Sequence, residues 1–468
     1  MNNLSGNFEK YTRRAQWRAE KDGLARYYAA HCRKLVENRM NGKRRHEIQR
    51  SFLRDPKLKR AAIIKSLKGR CGRDATYRRA EGLNLKSAQE HRIETYFKPK
   101  KSGGRRMICD LPSELTAKHH MIKSLLDAEF NRHPNMFGVK SFGREDAAQR
   151  IQELQRDGLT TLWQTDISDC YDSFNLQALY ELPLPRDVIA NSLDTRSDHF
   201  SFQAQNTTLN AMKGASPEMP YRAMPVNSMI QDNRNIGIQD YRVIGSSTYN
   251  NSGNTRGPRG LMQGSPASPG ILAWHLNECL KTLPLNEDVQ VIVCFDNLLI
   301  ASRDEEANRM IRNTLAECLG RCSFGPLTLH TPEGADADGE THFLGYCHRE
   351  DGERIGIGLT SRESLTSRLV RHEKNFEAQL VACPEQVDYE AECYELWKIL
   401  LDFANGFPSI TDINAEMAEF IETSSWIPQL SGSPLLIDTH LRLFSENGAV
   451  DRHVLHTNLS SRRRRRPT

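Results

Sequence analysis

Val291-Ile292-Val293-Cys294-Phe295-Asp296-Asn297-Leu298-Leu299-Ile300-Ala301-Ser302 is the stretch around which the chain is organised. Two short apolar runs rich in Val, Ile and Leu flank Asp296-Asn297, which reads as a buried hairpin carrying a carboxylate between its strands. Burying an aspartate in so apolar a setting is costly unless it is paired, hydrogen-bonded or bound to a cation. A tight Asp-Asn turn exposed to water is the competing reading, and this stretch alone leaves both open.

The chain has 468 residues, enough for a large core and for roughly two to four domains. It has no run of about 18 apolar residues, and its first thirty residues are charged rather than signal-like, so a cytoplasmic location is expected. Eleven scattered cysteines suit reduced thiols better than a disulfide framework. The net charge of +5 hides an asymmetry: residues 1–86 carry 24 Lys/Arg against 8 Asp/Glu, and the remainder is acidic by 11 charges. A basic leading segment on a mildly acidic body suits a nucleic-acid binder, because each neutralised phosphate releases counterions. A solvated basic helical face is the alternative.

Residues 5–70 show apolar stripes at helical spacing, including Trp17, Tyr27, Tyr28, Phe52 and Ile63, which fit a core better than base-stacking positions. From Tyr96 to Pro112, two strand-like runs surround Gly103-Gly104, a basic hairpin holding Lys98, Lys100, Lys101, Arg105 and Arg106. Arg clamps phosphate oxygens in two places and Lys adds a compact charge, so the hairpin suits a triphosphate, with a merely solvated basic loop as the commoner alternative. A helix over 117–130, the run Met136 to Arg144, and a second helix to about 156 follow. A strand then ends on Asp166, with Tyr171 shortly after. Residues 176–257 read as a polar spacer, irregular near its end. Arg259 to Pro269 feeds a helix ending near Leu283; after the acidic hairpin come a helix over 304–319 and a strand over 327–330. His342–Cys347 and Arg354–Gly358 read as a small hairpin. Helices over 365–380, 388–403 and 414–422 suggest a bundle, and the arginine-rich end reads as a tail drawn to polyanions.

In this order, over about residues 95–350, the stretches resemble the motif series of a reverse transcriptase: basic hairpin, Phe137-Gly138 with Phe142-Gly143-Arg144, Asp166 with Tyr171, Gln263-Gly264-Ser265-Pro266 with Ser268-Pro269, the acidic hairpin, and Phe343-Leu344-Gly345-Tyr346. The compact layout is similar to prokaryotic enzymes of the retron, abortive-infection and defence-associated kind. The resemblance implies an α+β right hand. Its fingers and palm, an antiparallel sheet backed by helices, would span residues 87–350 and its helical thumb 351–430. A basic helical extension over 1–86 would precede them and a C-terminal segment with a basic tail over 431–468 would follow. It implies an RNA-directed DNA polymerase, a nucleotidyltransferase using Mg²⁺, with Mn²⁺ as the alternative. Asp166 and Asp296 would be the catalytic carboxylates, with the Ile167 carbonyl and Asn297 completing a metal-ligand set. Lys100 and Arg106 would hold the triphosphate, with Lys98 and Arg105 as close competitors. Tyr171 would stand where a ribose 2′-hydroxyl would go, and Gln263 and Gly264 would lie along nucleotide and template.

Two departures stand out. The family commonly has Tyr-x-Asp-Asp where this chain has Cys294-Phe295-Asp296-Asn297; Asn297 offers a carbonyl oxygen without a charge, which should weaken or retune metal binding. The lysine that often follows the next helix is replaced by Leu327-Thr328-Leu329-His330, where His330 is a candidate acid or an ordinary surface residue. Cys318, Cys322 and Cys347-His348 read as core positions rather than zinc ligands. No protease, integrase or nuclease pattern is apparent, which by analogy favours an antiphage-defence role with a dedicated noncoding RNA template, DNA product, dNTP substrates and no membrane. A homo-oligomer or a second subunit stays open. Two rivals remain: a template-independent or protein-primed DNA polymerase on the same fold, and a catalytically dead RNA-binding scaffold.

Overall fold

The computed structural model describes residues 2–99, 105–204, 254–255, 258–330, 340–349, 352, 355–383, 398–400, 402–410, 413 and 417. The expected Gly103-Gly104 turn with Lys100 and Lys101, the loop at 246–253, most of the second and third C-terminal helices and the arginine-rich tail lie outside the described residues. The architecture is mixed α+β.

Four helices open the chain: α1 (Asn2–Glu37), α2 (Gly42–Arg54), α3 (Pro56–Ser66) and α4 (Arg73–Gly82). Their boundaries follow local chemistry. Asn41 caps α2 by accepting from Arg44 N, and Asp55 caps α3 by accepting from Lys57 N and Leu58 N, with Pro56 in the first turn. The apolar stripes pack as a sequence-level core should: Leu35, Phe52, Leu53, Leu58 and Ile63 are buried with Met121, Ile122 and Leu125 of α5 (Ser113–Glu129). Each such side chain contributes roughly 1.5–3 kcal/mol by leaving water. The Tyr28 hydroxyl donates to the His120 carbonyl, and the Tyr27 hydroxyl donates to Asp55. Arg60 stacks on the Tyr77 ring at 3.7 Å.

The basic hairpin forms as β1 (His91–Pro99) and β2 (Arg105–Asp110), antiparallel, with Lys98 opposite Arg106. These belong to a sheet of order β2-β1-β5-β6, completed by β5 (Phe200–Ala204) and β6 (Asn254–Thr255). Part of the stretch read as a polar spacer is therefore ordered: a 3₁₀ helix (Leu176–Glu181), α7 (Arg186–Ser192) and β5 bury Leu179, Val188, Ile189 and Phe202. Short elements with few apolar residues each leave only weak periodicity, which is why the sequence hides them.

The central sheet has the order β3-β7-β8-β4-β9, from β3 (Met136–Phe137), β4 (Thr161–Ser168), β7 (Val289–Cys294), β8 (Asn297–Ser302) and β9 (Thr328–Leu329). The β7–β8 hairpin is buried on both faces. Val291, Val293, Leu298 and Ile300 face one core with Leu272 and Leu276 of α8 (Ser268–Thr282) and Ile311 and Leu315 of α9 (Glu305–Arg321). Ile292, Cys294, Leu299 and Ala301 face another with Ala147, Ile151 and Leu154 of α6 (Arg144–Arg156). Two covered faces explain why the strands read as continuous apolar runs rather than an alternation.

The hairpin expected between 342–347 and 354–358 is divided differently. The chain turns at Leu344-Gly345, both with positive φ, so β10 (Glu340–Phe343), β11 (Tyr346–Arg349) and β12 (Ile355–Ile357) make a three-stranded antiparallel sheet. Its core side holds Tyr346, Ile355 and Ile357 with Leu365 and Leu369 of α10 (Leu359–Ala382) and with Leu400, Phe403, Phe407 and Met417. Arg144 fastens this unit to α6: its guanidinium donates to the Gly406 carbonyl and lies 5.0 Å from the Phe407 ring.

Candidate active site

Asp166 and Asp296 stand side by side at one end of the central sheet. The β4–β8 register puts Asp166 opposite Asn297, and Ile167 N donates to the Asp296 carbonyl at 2.9 Å, so the hairpin tip is tied to β4 one residue past Asp166. An extended residue points its N–H and C=O to the same side, which directs the Ile167 carbonyl toward the tip as well. The turn is formed by Phe295-Asp296, since Cys294 pairs with Asn297.

Phe295 has a φ of +58°, a region that side chains of its size rarely occupy. Its ring lies over Gly138, where a Cβ would come within 3.0 Å of it. Gly138 thus makes room for Phe295, and the strain is held by β3 running parallel to β7, Phe137 opposite Cys294. Such strain, held at the residue beside two carboxylates, marks this turn as a built feature rather than a loose exposed loop.

Burial, joined by the negative charge of Asp166, pushes the Asp296 carboxyl above its ordinary range, while Arg106 pulls it back. Arg106 of β2 is exposed and stands in register with the exposed Lys98. Like charges directly opposite on paired strands are unfavourable unless an anion shares them. Asn297 donates its amide Nδ2 to Asp296 Oδ1 at 3.2 Å, with Cys294 O at 3.5 Å. The amide orientation follows from this network.

Tyr171 lies on the tight turn after β4, where Asp172 N and Ser173 N both bond to the Asp169 carbonyl. It is half-buried, and burial, followed by the Asp296 charge, raises its hydroxyl pKa. The Gln263-Gly264 loop bridges this turn to β2. Leu261 N donates to Tyr171 O at 2.8 Å, Gln263 Nε2 to Asp172 Oδ1 at 3.3 Å, and Cys109 N to Gln263 O at 2.7 Å. Gly260 and Gly264 are required by close approach: a Cβ on the first would meet Tyr171 O at 2.1 Å, and on the second Cys109 O at 2.3 Å. On the other side, His330 N donates to Asp166 O at 2.8 Å and its Nδ1 lies 3.7 Å from Asp166 Oδ1.

No protein-family model and no curated protein matches the chain. Among solved structures, telomerase from Candida albicans in complex with a fragment of telomeric RNA is similar at 13% identity, over 78% of this chain and 68% of that one, with a TM-score of 0.40. Apo telomerase from Candida tropicalis, truncated from its C-terminal domain, is similar at 12% identity, over 58% and 56%, with a TM-score of 0.34. Scores this low do not establish a shared fold, so the site is read from its own residues.

Of the positions singled out in the sequence, Asp166, Ile167, Asp296, Asn297, Tyr171, Gln263, Gly264 and Arg106 fall in one connected region. Lys100 lies outside the described residues. Sequence reasoning missed His119. This fully buried residue of α5 binds Ser265 Oγ through Nδ1 and Ser192 O through Nε2, each at 2.6 Å. With Nε2–H donating to the carbonyl, Nδ1 is left to accept from the serine hydroxyl, whose oxygen accepts from Ala267 N and Ser268 N at the start of α8. His119 therefore positions the Gln263-Gly264 loop from behind. Its only signal in the sequence is a polar pair, His119-His120, inside an apolar helix.

Proposed function

We propose that the chain is an RNA-directed DNA polymerase of the reverse-transcriptase type. One observation carries the reading: Asp166 and Asp296 are fixed side by side by Ile167 N–Asp296 O, in surroundings that raise the Asp296 carboxyl. Two carboxylates held together at such a cost fit an oxygen-liganded divalent cation, Mg²⁺ or Mn²⁺, with the Ile167 carbonyl and the Asn297 amide oxygen as further ligands. The ions would supply charge neutralisation and Lewis acidity for attack of a primer hydroxyl on a nucleoside triphosphate.

The remaining groups bind and orient. Arg106, Lys98 and Lys100 draw the triphosphate to the carboxylates. Tyr171 occupies the space of a ribose 2′-hydroxyl and favours deoxynucleotides. Gln263 and Gly264 line the nucleotide and template, and Gly264 lets the backbone approach closely. His330 beside Asp166 is placed to hand a proton to the departing pyrophosphate. In this reading the sheets of β1–β2 and β7–β8–β4 are fingers and palm, and α10 with the 398–417 segment is the thumb. The basic helices α1–α4 bind the RNA, a dedicated noncoding template in an antiphage setting.

The test is incorporation of each dNTP by the full chain with its co-expressed RNA, in Mg²⁺ or Mn²⁺, beside Asp296→Ala. Metal-dependent incorporation lost in the variant is expected. RNA binding without incorporation under either metal would instead favour the scaffold, and incorporation without RNA the template-independent polymerase.

A further inference from the structure

A second cluster of ligating side chains lies away from the paired aspartates, on the β10–β11 hairpin. Strand alternation puts Glu340 and His342 on one face of β10, and the register sets Cys347 opposite His342 and Arg349 opposite Glu340. The carboxylate oxygen, imidazole nitrogen and thiol sulfur of Glu340, His342 and Cys347 all lie within 4.8 Å of one another, the one such group of three among the described residues. Cys347 Sγ is 3.2 Å and His342 Nε2 4.0 Å from the same oxygen, Glu340 Oε2.

We propose that Glu340, His342 and Cys347 form a Zn²⁺ site, with water as the fourth ligand. The distances fit. Bonds of about 2.0 Å to N and O and 2.3 Å to S place tetrahedral ligands about 3.3–3.6 Å apart, so Glu340 and Cys347 already stand at ligand spacing and His342 has to close in on them. The chemistry fits too. A thiolate, an imidazole and a carboxylate suit zinc among common divalent ions, and thiolate plus carboxylate cancel its charge. Arg349 Nε holds the other oxygen, Oε1, at 3.2 Å, the outer support a ligating carboxylate usually has. A thiol is a weak donor to a carboxylate, and its proton must leave before the sulfur can ligate a metal. Binding Zn²⁺ releases that proton to solvent. Cys347 is buried while Glu340 and His342 are partly open, which leaves an entry path.

The sequence paired Cys347 with His348, but alternation turns His348 to the opposite face. Cys318, read with Cys322 as a core position, faces Cys279, with their sulfurs 2.7 Å apart. The ion would tie β10 to β11 across the Leu344-Gly345 turn, whose other face carries Phe343 and Tyr346 into two cores. It would thereby stiffen the hairpin beside β4, independently of any polymerase activity.

The experiment is titration of the chelator-stripped full chain with Co²⁺, read by the near-ultraviolet thiolate-to-cobalt band. A saturable band at one ion per chain, displaced by Zn²⁺, lost in Cys347→Ser, weakened about tenfold or more in His342→Ala and kept in Cys279→Ser/Cys318→Ser is expected. Absence of the band, or its survival in Cys347→Ser, overturns the site. If Cys347→Ser does not fold, Glu340→Ala/His342→Ala decides: loss of the Zn²⁺-induced rise in Tm supports the site, and an undiminished rise overturns it.

Discussion

A Cβ on Gly264 would stand 2.3 Å from the carbonyl oxygen of Cys109, so the loop before α8 and strand β2 meet backbone to backbone. The φ of Gly264, +109°, adds a second obstacle to any side chain. Gly264→Ala should therefore lower stability by about 2–4 kcal/mol in urea melts and reduce dNTP incorporation by about 100-fold or more. Gly270→Ala is the control, because its Cβ would meet only Lys123 Cγ at 3.9 Å; it should leave incorporation unchanged and, as a helical position, raise stability by up to about 1 kcal/mol.

Asn297→Asp would replace the donor to Asp296 with a third carboxylate. Without metal the variant should melt about 1 °C lower, on the order of 1 kcal/mol. With divalent metal it should bind the ion more tightly, and the ratio of Mn²⁺ to Mg²⁺ activity should fall at least about threefold. Asp296→Asn should do the reverse. The raised Asp296 carboxyl costs stability above its ordinary value of 3.8, fully so once pH exceeds its folded value, and acidification relieves that cost. Removing the charge should raise the metal-free Tm at neutral pH by about 2 °C while abolishing incorporation. Equal Tm values for the two variants would show that Asp296 is not held at a cost.

If Tyr171 occupies the space of a ribose 2′-hydroxyl as proposed, Tyr171→Val should admit ribonucleotides, lowering the preference for dNTP over rNTP by roughly 10- to 100-fold, because the ring rather than the hydroxyl would fill that space. Tyr171→Phe should keep the preference. Competing single-nucleotide incorporation measures both.

His119 predicts a pH dependence. Burial lowers its ring pKa to about 4 from 6.5, so the folded chain keeps it neutral while the unfolded chain takes up a proton. The stability this confers is complete above pH 6.5 and is lost as pH falls toward 4. His120, His275 and His348, each lowered to about 4 mainly by burial, act with the same sign. His119→Gln, able to accept from Ser265 and donate to Ser192, should fold. It should also reduce the slope of stability against pH in that window by about 1.4 kcal/mol per pH unit, one proton's worth. A slope equal to wild type would mean that His119 is not the group titrating.

The central hairpin was legible because both its faces are buried, which leaves an uninterrupted apolar run on each side of Asp296. Helices α5, α6, α8 and α9 were legible for a related reason, since each has one stripe against a core. What the sequence concealed depended on partners remote in the chain. His119 meets Ser265 across 146 residues, and the bond from the Asn297 amide nitrogen to Asp296 depends on the geometry of the turn. The grouping of Cys347 with His342 depended on the turn at Leu344-Gly345, which the sequence reading placed inside a strand.

The basic leading segment divides into residues that build the core and residues free to meet phosphate. On α2, Phe52 and Leu53 are buried, while Lys43, Arg50 and Arg54 are exposed at spacings that return to one face of the helix. Three phosphates met there would release counterions in proportion, about 0.7 per contact on a single strand and 0.9 on a duplex. Lys43→Ala/Arg50→Ala/Arg54→Ala should thus flatten the slope of log K against log salt for RNA by about 2–3. Removing exposed charges should leave Tm within about 1 °C, since surface changes away from caps and cores cost little. Fluorescence anisotropy with the co-purified RNA over a salt series gives the slope. A slope unchanged in the triple variant would move the RNA contact off α2.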